Sequence, residues 1–519
     1  MALSYFREQK HYTLSEIQKR LGVSEESCKH LLGILKKYGV VKSVDSDKPE
    51  FADLSDLDVI LSDVTDDSHV AYKFSYVGVV LVESSVFCCY PKYIDKKEDG
   101  KEVPEPELKQ ILEQILEVIR KYDSNEQLIH LYNGIDESKV FNKLAVSLYL
   151  LRDYYENGIY TNQEEIIETN GEGEINWDKT INETFAIIKN KTPYYVELQT
   201  INTQNNDQDY FTLLHQCILT LCSEELSKVG LLSLFNIQPL ELSGNSLDDF
   251  GDVDYIKYRL EVEIQKQFVT KKQILLKTLY TLISEMKSTE TANSFSLYGT
   301  NAFNLVWEKA CGSIFENIRD KTFRELKKIY PNIFNHEKIE NPNYDPEIKD
   351  SDSKYLSDSN KFKDLIEQVK WTFNPIALKV AETLEPDIIS IYEKVFYILD
   401  AKYYFVIHND SEIRQQPGIQ DVVKQFAYHR AFSDFIEKYG FEDKNVYNAF
   451  LIPKKSSDCT SEKFHLVGKA EFKLMQEYNS KKLKEIQVVE IDPNFVYENY
   501  LNGKTITNEL SILNNQAKN

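Results

Sequence analysis

The chain has 519 residues, 42% of them hydrophobic and 12% aromatic, and a formal net charge of −22. That length exceeds a single compact core and predicts about two to four domains, while only 18 Gly and 14 Pro exclude a fibrous or low-complexity chain. The acidic balance argues against a simple DNA-coating role, which needs clustered Lys and Arg. A nuclease stays open, because charge acts within roughly 8 Å at physiological salt and metal-holding carboxylates are themselves acidic.

The seven cysteines are Cys28, Cys88, Cys89, Cys217, Cys222, Cys311 and Cys459. Their odd number and the lack of paired CxxC motifs point to neither a disulfide framework nor a zinc site. A reducing, cytoplasmic location fits best. The N-terminus has no apolar signal region. The longest apolar runs, YVGVVLV and VGLLSLF, are too short to span a membrane, so a soluble protein is expected.

In chain order, Thr13-Leu14-Ser15-Glu16 is a capping-box pattern opening a helix with Leu14, Ile17 and Leu21 on one face. Gly22 supplies a turn, and Ser24 caps a second helix carrying Cys28, Leu31, Leu32 and Leu35. With Val40 and Val41 as a following strand, residues 1–45 predict a winged helix-turn-helix. Its candidate DNA contacts are Lys29, Lys36, Lys37 and Lys42, with His30 beside them. The same pattern also suits a helical hairpin that binds protein.

Residues 46–69 read as a linker, and VAYKFSYVGVVLVESSVFCCYPKY (70–93) as a β-hairpin that includes Cys88 and Cys89. Helices are expected at about 106–121 and 139–156, then a Gly-rich turn with an alternating strand at 170–181 and a strand at 193–201. Residues 210–290 are mostly helical, with a basic stretch at Lys266, Lys271, Lys272 and Lys277. His215, in FTLLHQCILTLC, reads as a core residue. The chain has no GxxxxGK[ST] phosphate-binding loop.

The chemistry concentrates in LEPDIISIYEKVFYILDAKYYFVI (384–407). Asp387 opens an apolar strand, Glu393 and Lys394 form a turn, and a second strand ends at Asp400-Ala401-Lys402. In an antiparallel hairpin the start of one strand lies beside the end of the other, so Asp387 and Asp400 converge. Alternation places Asp400 and Lys402 on one face. Two carboxylates can hold Mg²⁺, with Mn²⁺ a possible substitute, for phosphodiester hydrolysis, and a lysine can orient the attacking water. The Ala401 carbonyl could add a ligand.

A lone D-x-K triplet says little, since Asp95-Lys96-Lys97 has the same form in a charged loop. A cross-strand Asp–Lys ion pair on a solvated sheet is the bland alternative. Three features support the site. Glu308 lies on a helix whose apolar face is Phe303, Val306, Trp307 and Ala310. Gln425 and Tyr428 share a helix face in DVVKQFAYHRAF (421–432). NAFLIP (448–453) suits a further buried strand.

Helix, hairpin with PD and DAK, helix and strand resemble the PD-(D/E)XK nuclease core. Across most of its length the chain is similar to restriction endonucleases of the LlaJI type, with related features in McrC proteins. The residues carrying this are YKFSYVGVVLVESSVFCCYPKY, YENGIYTNQEEIIETNGEGEINWDKTI, LYGTNAFNLVWEKAC, LEPDII with LDAKYY, and PGIQDVVKQFAYHRAF. The resemblance implies a Mg²⁺-dependent DNA endonuclease of a restriction-modification system, acting on double-stranded DNA with a McrB-like GTPase subunit.

The expected fold is therefore a multidomain α+β protein. It comprises a winged helix-turn-helix at 1–45, a mixed α/β region at 70–205, a helical region at 206–294, and a nuclease domain with a C-terminal extension at 295–519. The nuclease core, a mixed sheet flanked by helices, is expected at about 295–455. Two other functions compete: a McrC-like subunit that acts on methylated DNA, and a DNA-binding scaffold with an inactive core.

Overall fold

The structure is a computed structural model, and it describes residues 3–45, 70–83, 85–97, 101–124, 132–133, 140–286, 295–334, 338–344, 353–373, 376–379, 384–409, 412–441, 445–456, 462–478 and 481–516. The expected linker at 46–69 and Cys459 lie outside the described residues. The chain is α+β, with several mixed sheets and many helices. It divides into two units. One comprises Met1–Leu3, Val80–Val86 and Ile129–Tyr298, and the other Ser4–Val79, Phe87–Leu128 and Gly299–Asn519.

The first unit is built around the helices Lys143–Asn157, Tyr210–Lys228, Val253–Lys266 and Thr270–Met286. Leu148, Leu151, Leu214, Ile218, Leu279 and Ile283 form part of its interior. His215 is a core residue, as expected: it is fully buried, its Nδ1 accepts from the Tyr160 N–H at 3.1 Å while its Nε2 has no hydrogen-bond partner among the described residues, and burial lowers its pKa to about 4. Two lysines of the basic stretch are committed locally. Lys272 donates to the Thr161 carbonyl at 2.6 Å, and Lys271 bonds Asn157.

Two expectations here need correction. Of the strand expected within 170–181 only Glu174–Ile175 forms, paired with Gln199–Asn206; from Trp177 the chain is the helix Trp177–Glu183, because Asn176 caps it by accepting from the Lys179 N–H at 3.0 Å. A side-chain cap outweighs an apolar alternation only a few residues long. The expected strand at 193–201 is two strands, Thr192–Tyr195 and Gln199–Asn206. The first closes a hairpin on Ala186–Lys189 through Asn190 and Lys191, both at positive φ. The second pairs along its whole length with Asn162–Thr169.

In the second unit, Thr13 caps the helix Leu14–Leu21 with a reciprocal bond to Glu16, and Gly22 ends it at φ 67°. Ser24 caps Glu25–Lys37, whose Cys28, Leu31, Leu32 and Leu35 are buried as the spacing predicts. Strands His11–Tyr12, Val70–Phe74 and Val41–Asp45 form an antiparallel sheet beside these helices, with Val70–Phe74 central. The stretch 70–93 thus holds three strands: Ser75 separates Val70–Phe74 from the rest by donating its N–H to the Val40 carbonyl at 2.9 Å and its hydroxyl to Gly39 at 3.1 Å, whereas Val77–Val82 and Ser85–Tyr90 are neighbours in one sheet, as the expected hairpin requires.

The rest of this unit centres on a five-stranded mixed sheet in the order Ile388–Tyr392, Val395–Ala401, Val446–Pro453, Ile486–Ile491, Phe464–Ala470. The outer pairs are antiparallel and the inner ones parallel. Val446–Pro453, which contains NAFLIP, is buried throughout. Phe396 and Ile398 pack with Phe432 and Phe435 from the helical segment after the hairpin. The Trp307 indole reaches the same sheet from the preceding helix, donating to the Leu451 carbonyl at 3.4 Å. Cores of this kind set the strand ends rigidly in place, which is what a site at those ends requires.

Candidate active site

The site grows from the hairpin. Glu393 and Lys394 adopt positive φ at the turn, so the strands pair in register Ile388↔Leu399 through Tyr392↔Val395. One step further along that register, Asp387 falls opposite Asp400. The Asp387 carboxylate accepts from the Ala401 N–H at 3.1 Å. Its main chain is held from the other side: the Asn317 amide donates to the Asp387 carbonyl at 2.5 Å and accepts from the Ile389 N–H at 3.1 Å. Arg319 donates to the Pro386 carbonyl at 3.3 Å.

Asp400 is 4% exposed, and its carboxylate lies 3.0 Å from the Lys402 ammonium. Lys402 also lies 3.6 Å from Asp421. Burial pushes the Asp400 carboxyl well above the usual range, and the charge of Asp387 pushes it further; the Lys402 ion pair opposes both without prevailing. Burial likewise raises Asp387, helped by the charge of Glu308. Glu308 itself is raised by burial, while Lys402 pulls it down. For Lys402, burial disfavours the charge, but Asp400, Asp387 and Asp421 outweigh it and hold the ammonium protonated.

Asp387, Asp400, Lys402 and Glu308 therefore share one electrostatic neighbourhood. Two hard-oxygen carboxylates facing each other, both driven toward protonation by burial, fit a divalent cation, whose charge would relieve the excess. Among the described residues no group of three or more His, Cys, Asp or Glu is placed so as to hold a metal ion together. Glu308 lies near the pair without completing such a set.

Gln425 and Tyr428 sit on the helix Ile419–Ala431, and both are buried. Gln425 works inside the core: its amide donates to the Ile398 carbonyl at 3.1 Å and to Asn448 Oδ1 at 2.7 Å, tying the helix to two strands. Tyr428 is closer to the chemistry, since burial and then the charges of Asp400 and Asp387 raise its hydroxyl.

Two residues of the site were not singled out in the sequence. Asp421 accepts from the Tyr404 hydroxyl at 3.0 Å and the Gly418 N–H at 3.1 Å while facing Lys402. The spacing Gly418-x-x-Asp421 at a helix start was its available signal. Asn317 had none, since its partners lie about seventy residues away.

The N-terminal lysines are displayed on the second helix and the following strand. Lys29 pairs with Glu25 at 2.9 Å, Lys36 lies over the Tyr72 ring at 4.8 Å, and Lys37 over Tyr38 at 5.6 Å. Burial lowers the Lys36 pKa. Lys42 is half-buried on the strand Val41–Asp45. Among the described residues no helix is long and apolar enough to cross a membrane.

The profile of the LlaJI restriction endonuclease family matches residues 76–351 and 348–494. The chain is 26% identical over 453 residues to the type II restriction enzyme BsuMI component YdjA of Bacillus subtilis (strain 168), covering 86% of this chain and 84% of that relative. A chain of the Thermococcus gammatolerans assembly of McrB AAA+ hexamers with bound McrC aligns at 11% identity and a TM-score of 0.34, over 97% of this chain and 99% of that one.

Proposed function

Because the chain belongs to the LlaJI restriction endonuclease family, we propose that it is the DNA-cutting component of a restriction system, hydrolysing phosphodiester bonds at Asp387, Asp400 and Lys402. The observation that carries this reading is the pairing of Asp387 against Asp400 with the Lys402 ammonium 3.0 Å from the latter. In this reading the hairpin, its flanking helices and the Val446–Pro453 strand are a PD-(D/E)XK core.

Asp387 and Asp400 would hold Mg²⁺, with Mn²⁺ as a substitute, and Glu308 and the Ala401 carbonyl are further candidate ligands. When bound, such an ion lowers the pKa of a coordinated water and stabilises charge on the reacting phosphate. The protein's own contribution is positional. Asn317 holds the Asp387 main chain, and the Ala401 N–H fixes its carboxylate. Lys402, kept protonated by its neighbours, acts as a donor that orients the attacking water or a phosphate oxygen. Asp421, 3.6 Å from the ammonium, holds the lysine side of the site, and Tyr428 lies within reach of the charges of Asp400 and Asp387.

The helices Leu14–Leu21 and Glu25–Lys37 with their three-stranded sheet form, in the same proposal, a winged helix-turn-helix that seats double-stranded DNA. Lys29, Lys36, Lys37 and Lys42 would meet phosphates. A separate McrB-like GTPase subunit would supply nucleotide hydrolysis. The absence of a GxxxxGK[ST] loop in the sequence supports that division of labour, as does the word "component" in the name of the Bacillus relative.

The test is cleavage of methylated and unmethylated plasmid with Mg²⁺ by wild type and Asp400→Ala, with the partner subunit and GTP present. Cutting by wild type alone supports the proposal and reveals the methylation state attacked. Equal cutting by both proteins would remove Asp400 from the chemistry, and no cutting by wild type would favour a scaffold with an inactive core.

A further inference from the structure

A second cluster of buried polar groups lies beside the site. The chain leaves the sheet after Ala401: the Lys402 N–H still donates to the Leu451 carbonyl at 2.9 Å, and residues 402–406 are then irregular. Side chains fix this peptide from several directions. Lys402 faces Asp400 and Asp421, Tyr404 donates to Asp421, and Phe405 lies under Arg7 at 5.8 Å and Lys455 at 5.1 Å. Tyr403, directly after the lysine, points its hydroxyl at Glu8 from 2.6 Å.

Glu8 is an unusual place to find a carboxylate. It is 6% exposed and follows the strand Ser4–Arg7. Its backbone N–H donates to the Tyr90 carbonyl at 2.9 Å. The next residue, Gln9, takes a positive φ of 60° and is pinned by a 2.8 Å bond to the Phe74 carbonyl. The Lys92 N–H donates to the Glu8 carboxylate at 3.3 Å, and the Lys92 ammonium lies 4.6 Å above the Tyr403 ring. Burying a carboxylate is costly unless it is hydrogen-bonded and paired; burial raises the Glu8 pKa, and Lys92, the short Tyr403 bond and buried Lys73 offset that in part. The Tyr403 ring in turn packs on Phe303, five residues ahead of Glu308 on the same helix, with centroids 5.3 Å apart.

We propose that Glu8 is a positioning residue for Lys402: its buried bond to Tyr403 ties the N-terminal module to the peptide that presents the catalytic ammonium. Arg7 and Glu8 are adjacent and grip Phe405 and Tyr403, so both anchors come from the end of one short strand. The consequence is regulatory. The module proposed to seat DNA is mechanically joined to the cutting site, and turnover depends on that joint. The inference rests on the nuclease reading above and adds to it a link between DNA seating and cleavage.

The experiment measures cleavage of plasmid DNA and DNA affinity for the chain co-purified with its partner subunits, comparing wild type, Asp400→Ala, Tyr403→Phe, Glu8→Gln and Glu8→Ala. Tyr403→Phe keeps the ring contacts and removes only the hydroxyl. It is expected to cut at least about tenfold more slowly at saturating DNA, with affinity and thermal midpoint close to wild type. Glu8→Gln keeps an acceptor oxygen and should restore most of the rate, whereas Glu8→Ala should match Tyr403→Phe. Wild-type turnover in Tyr403→Phe would overturn the link while leaving the nuclease reading intact. Equal losses in Glu8→Gln and Glu8→Ala, accompanied by lowered thermal midpoints, would reduce Glu8 to a folding contact and overturn it also. Equal cleavage by wild type and Asp400→Ala would instead refute the nuclease reading itself, and the link with it.

Discussion

Replacing Asp400 by asparagine should stabilise the metal-free protein near pH 8, although it removes a 3.0 Å ion pair. At an effective dielectric of about 20, unit charges at that separation attract by roughly 5 kcal/mol. Repulsion from Asp387 is larger than this attraction, and the desolvation of a carboxylate that is 4% exposed is larger again. Neutralising the group should therefore gain on the order of 1–3 kcal/mol, a discounted share of the stability that a carboxyl with a raised native pKa forfeits when it ionises, or a rise of about 2–4 °C per kcal/mol in a unit of this size. The sign follows from proton binding. Native Asp400 has a pKa above its unfolded value of about 3.9, so in that window the native state holds the extra proton and wild-type stability falls as pH rises. Lys402 stays protonated throughout. The two proteins should thus unfold alike near pH 4 and diverge toward pH 8 in denaturant titrations with a chelator present. Mg²⁺ at tenfold its dissociation constant should add roughly 1.4 kcal/mol to wild type and little to the variant. A variant less stable than wild type at pH 8, or a gap independent of pH, would mean that the Lys402 ion pair outweighs burial and the charge of Asp387.

Two further outcomes rest on named residues. Asn317→Ala removes a bond of 2.5 Å to the Asp387 carbonyl and one of 3.1 Å from Ile389; it should cost about 2–3 kcal/mol and slow cleavage without weakening DNA binding, and an unchanged unfolding midpoint would show that Asn317 does not hold the strand. Changing Lys29, Lys36, Lys37 and Lys42 together to alanine should flatten the salt dependence of DNA binding, by roughly 0.9 in slope for each phosphate no longer neutralised. An unchanged slope would assign the two-helix unit to protein binding.

The hairpin was legible because it is specified locally. Apolar alternation, a two-residue polar turn and strands of matched length fix a register, and the register alone brings Asp387 to Asp400. The N-terminal caps were legible for the same reason: Thr13 and Glu16 are three residues apart. What stayed hidden depends on distant partners. Asn317 and Glu8 act on residues about seventy and four hundred positions away, and no local pattern announces such pairings. The strand Asn162–Thr169 gave no signal because it is polar and largely solvent-facing, so no buried face imposes alternation. Gln425 was read toward the site from helix spacing alone, yet its amide serves the sheet backbone behind it. Periodicity names a face of the helix and not what the face meets.

The role of Lys402 is decided by single-turnover cleavage of prebound duplex DNA by Lys402→Ala in Mg²⁺, beside wild type. A positioned lysine that orients the reacting water or phosphate predicts a rate lower by about 10²–10⁴, with DNA affinity nearly unchanged. A wild-type rate in Lys402→Ala would contradict the assignment and return Asp400 and Lys402 to the status of an ion pair within a sheet.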